Sequence, residues 1–263
     1  MPELPEVEIM CRNLQRWILG APVSIELLDS SLCKEGSLDS IQSSSFKHIY
    51  RRAKYIVLST EEHHLVLHFR MTGKVVLDAP EQRRAARAVF QCGDKKVLFV
   101  DRRRLGEARI VDHRRLKDLF SHLGPDAWPS PKSAAWWKQE MGSLRGAVKP
   151  ALLQQKRIAG IGNILASEVL FEAQISPFKT CSSLTQAEWA ALAQKTPEVI
   201  SEVIERDSAD EIGFVQDGAE NLFAVYGKEG EPCPKCGQVI KGAKQSGRFS
   251  FWCTKCQPCA SSE

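Results

Sequence analysis

The chain has 263 residues, 43% apolar and 26% charged, with a formal charge of +4. That length is long for one domain and predicts two or three, each with enough apolar residues to bury a core. No run approaches the roughly 18 apolar residues of a membrane span, and the start "MPELPEVEIM" has neither the basic nor the apolar stretch of a secretory signal. The expected compartment is the cytoplasm.

Residues 6 to 19, "EVEIMCRNLQRWIL", place Val7, Met10, Cys11, Leu14 and Ile18 at helical spacing, with Gly20 as a stop. The texture then turns to short β-rich segments, "SIELLD", "FKHIYRRAKYIVLST", "HLVLHFRMTGKVVLD", "ARAVFQC" and "KKVLFVD", punctuated by Gly, Asp and charged turns. One helix followed by a mainly antiparallel sandwich, ending near Leu123, is the expectation. Arg83 to Arg115 carries eleven Lys/Arg against four Asp/Glu. Such an island is either a solvated surface or a contact for a polyanion.

"GPDAWPSPKSAA" is a Pro/Ser-rich hinge. From Trp136 to about Arg206 the pattern is helical. "IAGIGNILASEVLF" reads as a glycine turn feeding a helix. "LTQAEWAAL" holds a capping box, Thr185 with Glu188 three residues on, and "KTPEVISEVI" reads as the start of another helix with Pro197 just inside it. The domain boundaries that follow are 1–124, a hinge at 125–135, a helical domain at 136–225 and a tail at 226–263. Overall the class is α+β and multidomain.

Of nine cysteines, Cys11, Cys33, Cys92 and Cys181 are scattered and most look like small buried hydrophobes. The other five fall in the last 31 residues, which is not the spread of a secreted disulfide framework. "CPKC" and "CTKC" are separated by sixteen residues. Paired C-x-x-C at this separation predicts one tetrahedral zinc held by Cys233, Cys236, Cys253 and Cys256. Four thiolates close the site, so the metal is structural and supplies folding energy that a small hairpin lacks. Cys259 competes for a ligand position, and the aromatic strand "FSFW" running into Cys253 favours the earlier pair. Lys228 to Cys256 carries six Lys/Arg against two Asp/Glu, and Arg248 between the cysteine pairs is suited to bidentate contact with phosphate.

Four stretches in order, "PELPEVE", "RRAKY", "GIGNILASEVLF" and "VYGKEGEPCPKCG", resemble the formamidopyrimidine-DNA glycosylase / endonuclease VIII family over essentially the whole chain. The resemblance implies an N-terminal helix plus antiparallel β-sandwich, a C-terminal helical domain with a helix-two-turn-helix motif, and a zinc-finger β-hairpin. The implied function is a bifunctional DNA glycosylase and abasic-site lyase in base-excision repair, acting as a monomer on damaged double-stranded DNA at the bacterial nucleoid. Structural zinc is the one cofactor implied, and duplex DNA would lie between the two domains.

In this family the initiator Met is removed and the proline, here Pro2, becomes a nucleophilic N-terminus. An α-amino group has a pKa of about 7.7–8.0 against about 10.4 for Lys, so more of it is unprotonated at neutral pH. Its attack on a deoxyribose anomeric carbon gives an iminium directly. Glu3 is implied to protonate the sugar ring oxygen, and Glu6 is either a second acidic group or a helix cap. Lys54 is implied to bind the phosphates flanking the lesion and His68 another phosphate. Met71, Arg103 and Leu105 would fill the gap left by a flipped nucleotide. Asn163, in the glycine turn, and Arg248 would complete a phosphate clamp with Lys54.

Two departures mark the base-reading end of the pattern. The segment "IERDSADEIGFVQDGAENLFAVYG" is shorter and more acidic than the covering loop of 8-oxoguanine enzymes, which predicts comparatively weak activity on that base. Gln154 stands where an Asp is common. A rival function is a non-catalytic sensor of abasic or distorted DNA, against which the intact "PELPE" start argues. A plain zinc-finger regulator leaves Pro2 and Glu3 unexplained.

Overall fold

The computed structural model describes residues 2–207 and 220–258, and these divide by internal contacts into two compact units, 2–122 with 204–207 and 123–203 with 220–258. In the first unit, α1 (Leu4–Ile18) buries Leu4, Val7, Met10, Leu14 and Ile18 along one stripe. Pro5 fits its first turn, where the missing N–H has no helical partner to lose. Gly20, at φ +79°, turns the chain out of the helix.

The strands that follow are β1 (Pro22–Leu27), β2 (Cys33–Glu35), β3 (Ser44–Ser45), β4 (His48–Arg52), β5 (Tyr55–Ser59), β6 (His63–His68) and β7 (Lys74–Leu77). The short α2 (Pro80–Arg83) precedes β8 (Ala86–Cys92), β9 (Lys95–Val100) and β10 (Glu107–Asp112). They form two five-stranded sheets, ordered β3-β1-β8-β9-β7 and β2-β10-β6-β5-β4, antiparallel except for the β2–β10 pair. Alternation along β5, β6 and β10 sends Ile56, Leu58, Leu65, Leu67, Ala108 and Ile110 to one face, all buried. The opposite face carries Val57, Val66 and Val111, covered by Leu116, Leu119 and Phe120.

Those three covering residues belong to α3 (His113–Phe120), a helix that the β-rich texture did not predict. Asp112 starts it by accepting the Arg115 N–H at 2.7 Å. Leu116, Leu119 and Phe120 stand at helical spacing on one face of this short helix, and they suffice to cover a three-valine patch.

The second unit holds α4 (Ala134–Met141), α5 (Val148–Leu152), α6 (Asn163–Glu172) and α7 (Gln186–Arg206), then the hairpin β11 (Ile240–Gln245) and β12 (Arg248–Cys253). The capping box at α7 is present in both directions: Glu188 N–H donates to Thr185 Oγ1 and Thr185 N–H to Glu188 Oε2. The expected new helix at Pro197 is not there. The chain continues as a single α7 through Pro197. The buried positions Trp189, Leu192, Val199, Ile200 and Val203 carry one apolar stripe across it, which offsets the one backbone bond that proline removes. Among the described residues no helix is long and apolar enough to cross a membrane.

Candidate functional site

At the start of the first unit Pro2 and Glu3 are buried, and Glu3 N–H donates to Glu6 Oε2 at 2.8 Å. Glu6 therefore caps α1, as one of its two sequence readings held. It is also more than a cap: burial, and then the charge of Glu3, push its carboxyl up to about 7. Two buried acids, one of them shifted to near neutrality, thus follow Pro2 at the start of α1. Met1 lies outside the described residues.

Lys54 lies in the two-residue turn between β4 and β5, where Arg52 pairs with Tyr55 and Ala53 takes φ +53°. Beside it, Arg51 is fixed by Glu8 at 3.0 Å and by the Ala53 carbonyl at 3.1 Å. His68 ends β6 opposite Tyr55, its ring 4.5 Å from the tyrosine ring. Burial, then the positive charges of Arg70, Lys54 and Arg109, push His68 down to about 4 against an opposing Glu107. In the protein without DNA this burial disfavours the imidazolium, and a phosphate brought against it would favour the charged form again.

The loops bearing Met71 and Arg103–Leu105 are tied to each other. Thr72 Oγ1 donates to Asp101 Oδ1, and the Arg103 N–H donates to both Thr72 Oγ1 (3.1 Å) and Asp101 Oδ1 (3.2 Å). Gly106 N–H donates to Asp101 Oδ2 at 2.6 Å. Behind Asp101 stands Arg87, 1% exposed, donating to Asp101 Oδ2 (3.3 Å), the Gly106 carbonyl (2.9 Å), Asp29 Oδ2 (2.8 Å) and Ser31 Oγ (3.0 Å). Asp29 is held far below the carboxylate range, first by the Ser31 hydroxyl and then by Arg87. Gly106 has no alternative, because a Cβ there would meet the Phe99 ring at 2.8 Å. Leu105, at the tip, is 44% exposed. Neither Asp101 nor Arg87 stood out in the sequence. Arg87 was counted with a basic surface island, and its place among the buried positions of β8 was the available signal.

In the second unit the glycine turn is stapled by a side chain. Gln155 Nε2 donates to the carbonyls of Leu153 (3.2 Å) and Ile161 (2.7 Å), and its Oε1 accepts from Gly160 N–H at 3.0 Å. Gly160 takes φ +102°, a conformation side-chain-bearing residues rarely adopt. Gln154 next to it accepts from Arg157 Nε at 3.1 Å, and Arg157 reaches the Glu140 carbonyl at 2.6 Å.

Asn163 and Arg248 line one cavity of about 370 Å³, with Lys149, Gln154 and Gln245. Arg248 follows a two-residue turn in which Ser246 (φ +47°) and Gly247 (φ +81°) both take positive φ, the geometry favoured in tight hairpins. Buried Lys149 anchors this hairpin, donating to the Phe249 carbonyl and Ser250 Oγ, both at 2.9 Å. Ser250 Oγ in turn donates to Gln245 Oε1, and Gln245 Nε2 to the Pro177 carbonyl.

The thiols of Cys233, Cys236, Cys253 and Cys256 lie within 4.8 Å of one another. The contacts Cys236–Cys253 (3.4 Å) and Cys233–Cys256 (3.9 Å) bracket the roughly 3.8 Å that tetrahedral Zn–S bonds of about 2.3 Å require. In the cluster by itself, burial and then the neighbouring thiols push Cys256 up to about 12, so joint ionisation needs a cation at the centre. The residues fit one structural zinc. Cys259 and half of the acidic segment, residues 208–219, lie outside the described residues.

Pro2 and two buried carboxyls near the start of the chain, a sandwich presenting paired loops, and a four-cysteine hairpin with an exposed arginine define a two-unit zinc-finger protein. Comparison with known proteins gives the particular family. The formamidopyrimidine-DNA glycosylase N-terminal domain matches residues 1–108, the H2TH domain of the same enzymes 123–212, and the zinc finger found in FPG and IleRS 230–258. The formamidopyrimidine-DNA glycosylase of Cronobacter sakazakii is 33% identical over 98% of this chain and 100% of its own, and that of an Escherichia coli O7:K1 strain is 31% identical over the same shares. The Lactococcus lactis Fpg in complex with abasic-site DNA superposes with a TM-score of 0.87 at 28% identity, covering 98% of this chain and 100% of its own. MutM in complex with carbocyclic 8-oxo-G DNA gives 0.86 at 28%, with the same coverage. The chain belongs to the formamidopyrimidine-DNA glycosylase family, the base-excision-repair DNA glycosylases.

Two outcomes follow from this geometry. Cys236→Ser should release the zinc and sharply weaken DNA binding while the first unit stays folded, checked by elemental analysis against a ratio of one zinc per chain in the parent protein. Asp101→Asn leaves Arg87 as a buried charge short of a partner and should cost about 3–5 kcal/mol in thermal unfolding. Arg104→Gln, which removes an exposed partner of Asp29, should cost at most about 1 kcal/mol. Equal losses would show that Asp101 is not the tie between the loops.

Proposed function

We propose that this glycosylase is bifunctional and works through Pro2. The observation that carries the proposal is the placement of Pro2 at the head of α1 with Glu3 and Glu6 buried just after it. Once Met1 is removed, the Pro2 secondary amine attacks C1′ of the damaged nucleoside. The N-glycosidic bond breaks and the base leaves with the bonding pair, collecting a proton. Glu3 protonates the ring oxygen as the C1′–O bond opens, which leaves an iminium between Pro2 and the open sugar. Loss of a C2′ proton expels the 3′ phosphate (β-elimination), a second elimination expels the 5′ phosphate, and water hydrolyses the iminium to regenerate the amine.

The remaining site residues bind. Lys54, Asn163 and Arg248 contact phosphates, and His68 donates an N–H to another. Met71, Arg103 and Leu105 fill the stack emptied by the flipped nucleotide, an extrusion that costs a few kcal/mol. The Thr72–Asp101–Arg103 tie supports their acting as one wedge, because it fixes the two loops before DNA arrives. The protein works as a monomer on damaged duplex DNA in the cytoplasm, at the nucleoid. A non-catalytic sensor would have no use for the buried acid pair after Pro2.

Borohydride trapping on abasic DNA tests the mechanism. Processed protein should give a covalent complex, and Pro2→Gly or protein retaining Met1 should give none. Undiminished trapping would move the nucleophile elsewhere, Lys54 first. For substrate choice, single-turnover rates at one salt concentration should rank an abasic site and a ring-opened purine above 8-oxoguanine opposite cytosine. If 8-oxoguanine is cut as fast as the best of the others, the short acidic segment does not set the preference.

A further inference from the structure

The face of the second sheet that α3 covers carries a group that the DNA chemistry does not use. His48, Ser59 and His64 are directly paired across β4, β5 and β6, so they stand in one row on one face. His113, the first residue of α3, packs its ring against His64 with centroids 4.5 Å apart and planes at 67°. All four line a cavity of about 500 Å³ with Tyr50 and Thr60.

His64 is 5% exposed, and its Nδ1 lies 2.8 Å from Ser59 Oγ. In the tautomer whose Nδ1–H donates to Ser59 Oγ, Nε2 is left with a lone pair. That Nε2 is buried and has no hydrogen-bond partner among the described residues. Leaving a buried polar atom so costs about 1–3 kcal/mol, and native structures contain few such atoms. Burial, then His113 and His63, hold the imidazole below its usual pKa, which keeps the lone pair exposed to a ligand and not to a proton. Asp112 supplies negative charge nearby.

We propose that His64 Nε2 and a ring nitrogen of His113 bind a divalent first-row transition cation of the Zn²⁺, Ni²⁺ or Cu²⁺ type, with water completing the coordination, at a site separate from the cysteine cluster. Imidazole nitrogens suit these ions, while Mg²⁺ and Ca²⁺ require oxygen arrays that the row does not offer. Ser59 plays the part of the outer partner that fixes tautomer and ring orientation in histidine–metal sites. His113 is exposed, so rotation about its side-chain bonds brings a nitrogen towards the His64 lone pair.

The test titrates untagged full-length protein, with the cysteine zinc in place, with Ni²⁺ in a calorimeter and follows zinc content in parallel. One Ni²⁺ per chain should bind while the zinc is retained. His113→Gln, a surface change that leaves the fold intact, should weaken binding at least about tenfold. Ser59→Ala, which touches no metal, should weaken it about 10–100-fold. Absence of binding below roughly 1 mM overturns the proposal, as does binding by His64→Gln or His113→Gln as tight as that of the parent protein. In either case Nε2 is satisfied by water and the stacked pair is packing alone.

Discussion

The first unit is organised by the buried ion pair between Arg87 and Asp101. Neither charge reaches solvent, so each must be satisfied inside, and satisfying them consumes the polar groups of two loops and of the Asp29–Ser31 segment. Asp101 accepts from Thr72 on one side and from the main chain of Arg103 and Gly106 on the other. A buried pair is weak evidence for stability by itself, because desolvation offsets much of the attraction. Its effect here is geometric: Met71 and Leu105 are presented on loops whose backbones are already tied. In the wedge role proposed for these loops, such order lowers the cost of binding, since the ordering cost is met on folding.

The same economy governs the acid pair at the N-terminus. Glu6 closes the first turn of α1 and, by being buried beside Glu3, is shifted to near neutrality. One side chain therefore serves helix initiation and the electrostatics of the chain start. A carboxylate placed there for capping alone would be expected to sit at the surface with an ordinary acidity.

How much of this was legible in the sequence depended on whether a feature is local. The zinc ligands, the α7 capping box and the glycine turn are set by residues within a few positions, and spacing alone exposes them. The helical run through Pro197 was misjudged because a proline is a strong local signal and the apolar stripe that overrides it spans two more turns. The pairing of the basic island from Arg83 to Arg115 was hidden for a related reason. Arg83, Arg87, Arg104, Arg109 and Arg115 are paired with Asp78, Asp29, Asp101, Glu35 and Glu107, several of them far away in sequence. A window sum of charge cannot see carboxylates that the fold brings in from fifty or more positions away. The downward shift of His68 was hidden likewise, since the burial that causes most of it and the cations beside it come from separate elements.

The zinc hairpin is joined to its helices by an apolar cluster, in which Phe171 of α6 packs with Val225, Cys233, Ile240 and Cys253, and also by polar side chains that reach across. Glu168 on α6 receives the N–H groups of Ala224, Val225 and Tyr226 in succession, at 2.7, 3.1 and 2.9 Å. Lys149 on α5 holds the far strand, and Gln257 Nε2 reaches the Ile175 carbonyl. The finger is therefore not a transplantable cassette. A chimera that exchanged residues 230–258 between relatives would strand the Lys149 ammonium in the recipient's interior unless the incoming segment again offered it a carbonyl and a hydroxyl. Cysteine spacing would make such an exchange look modular, yet the true boundary of the exchangeable piece runs through α5 and α6.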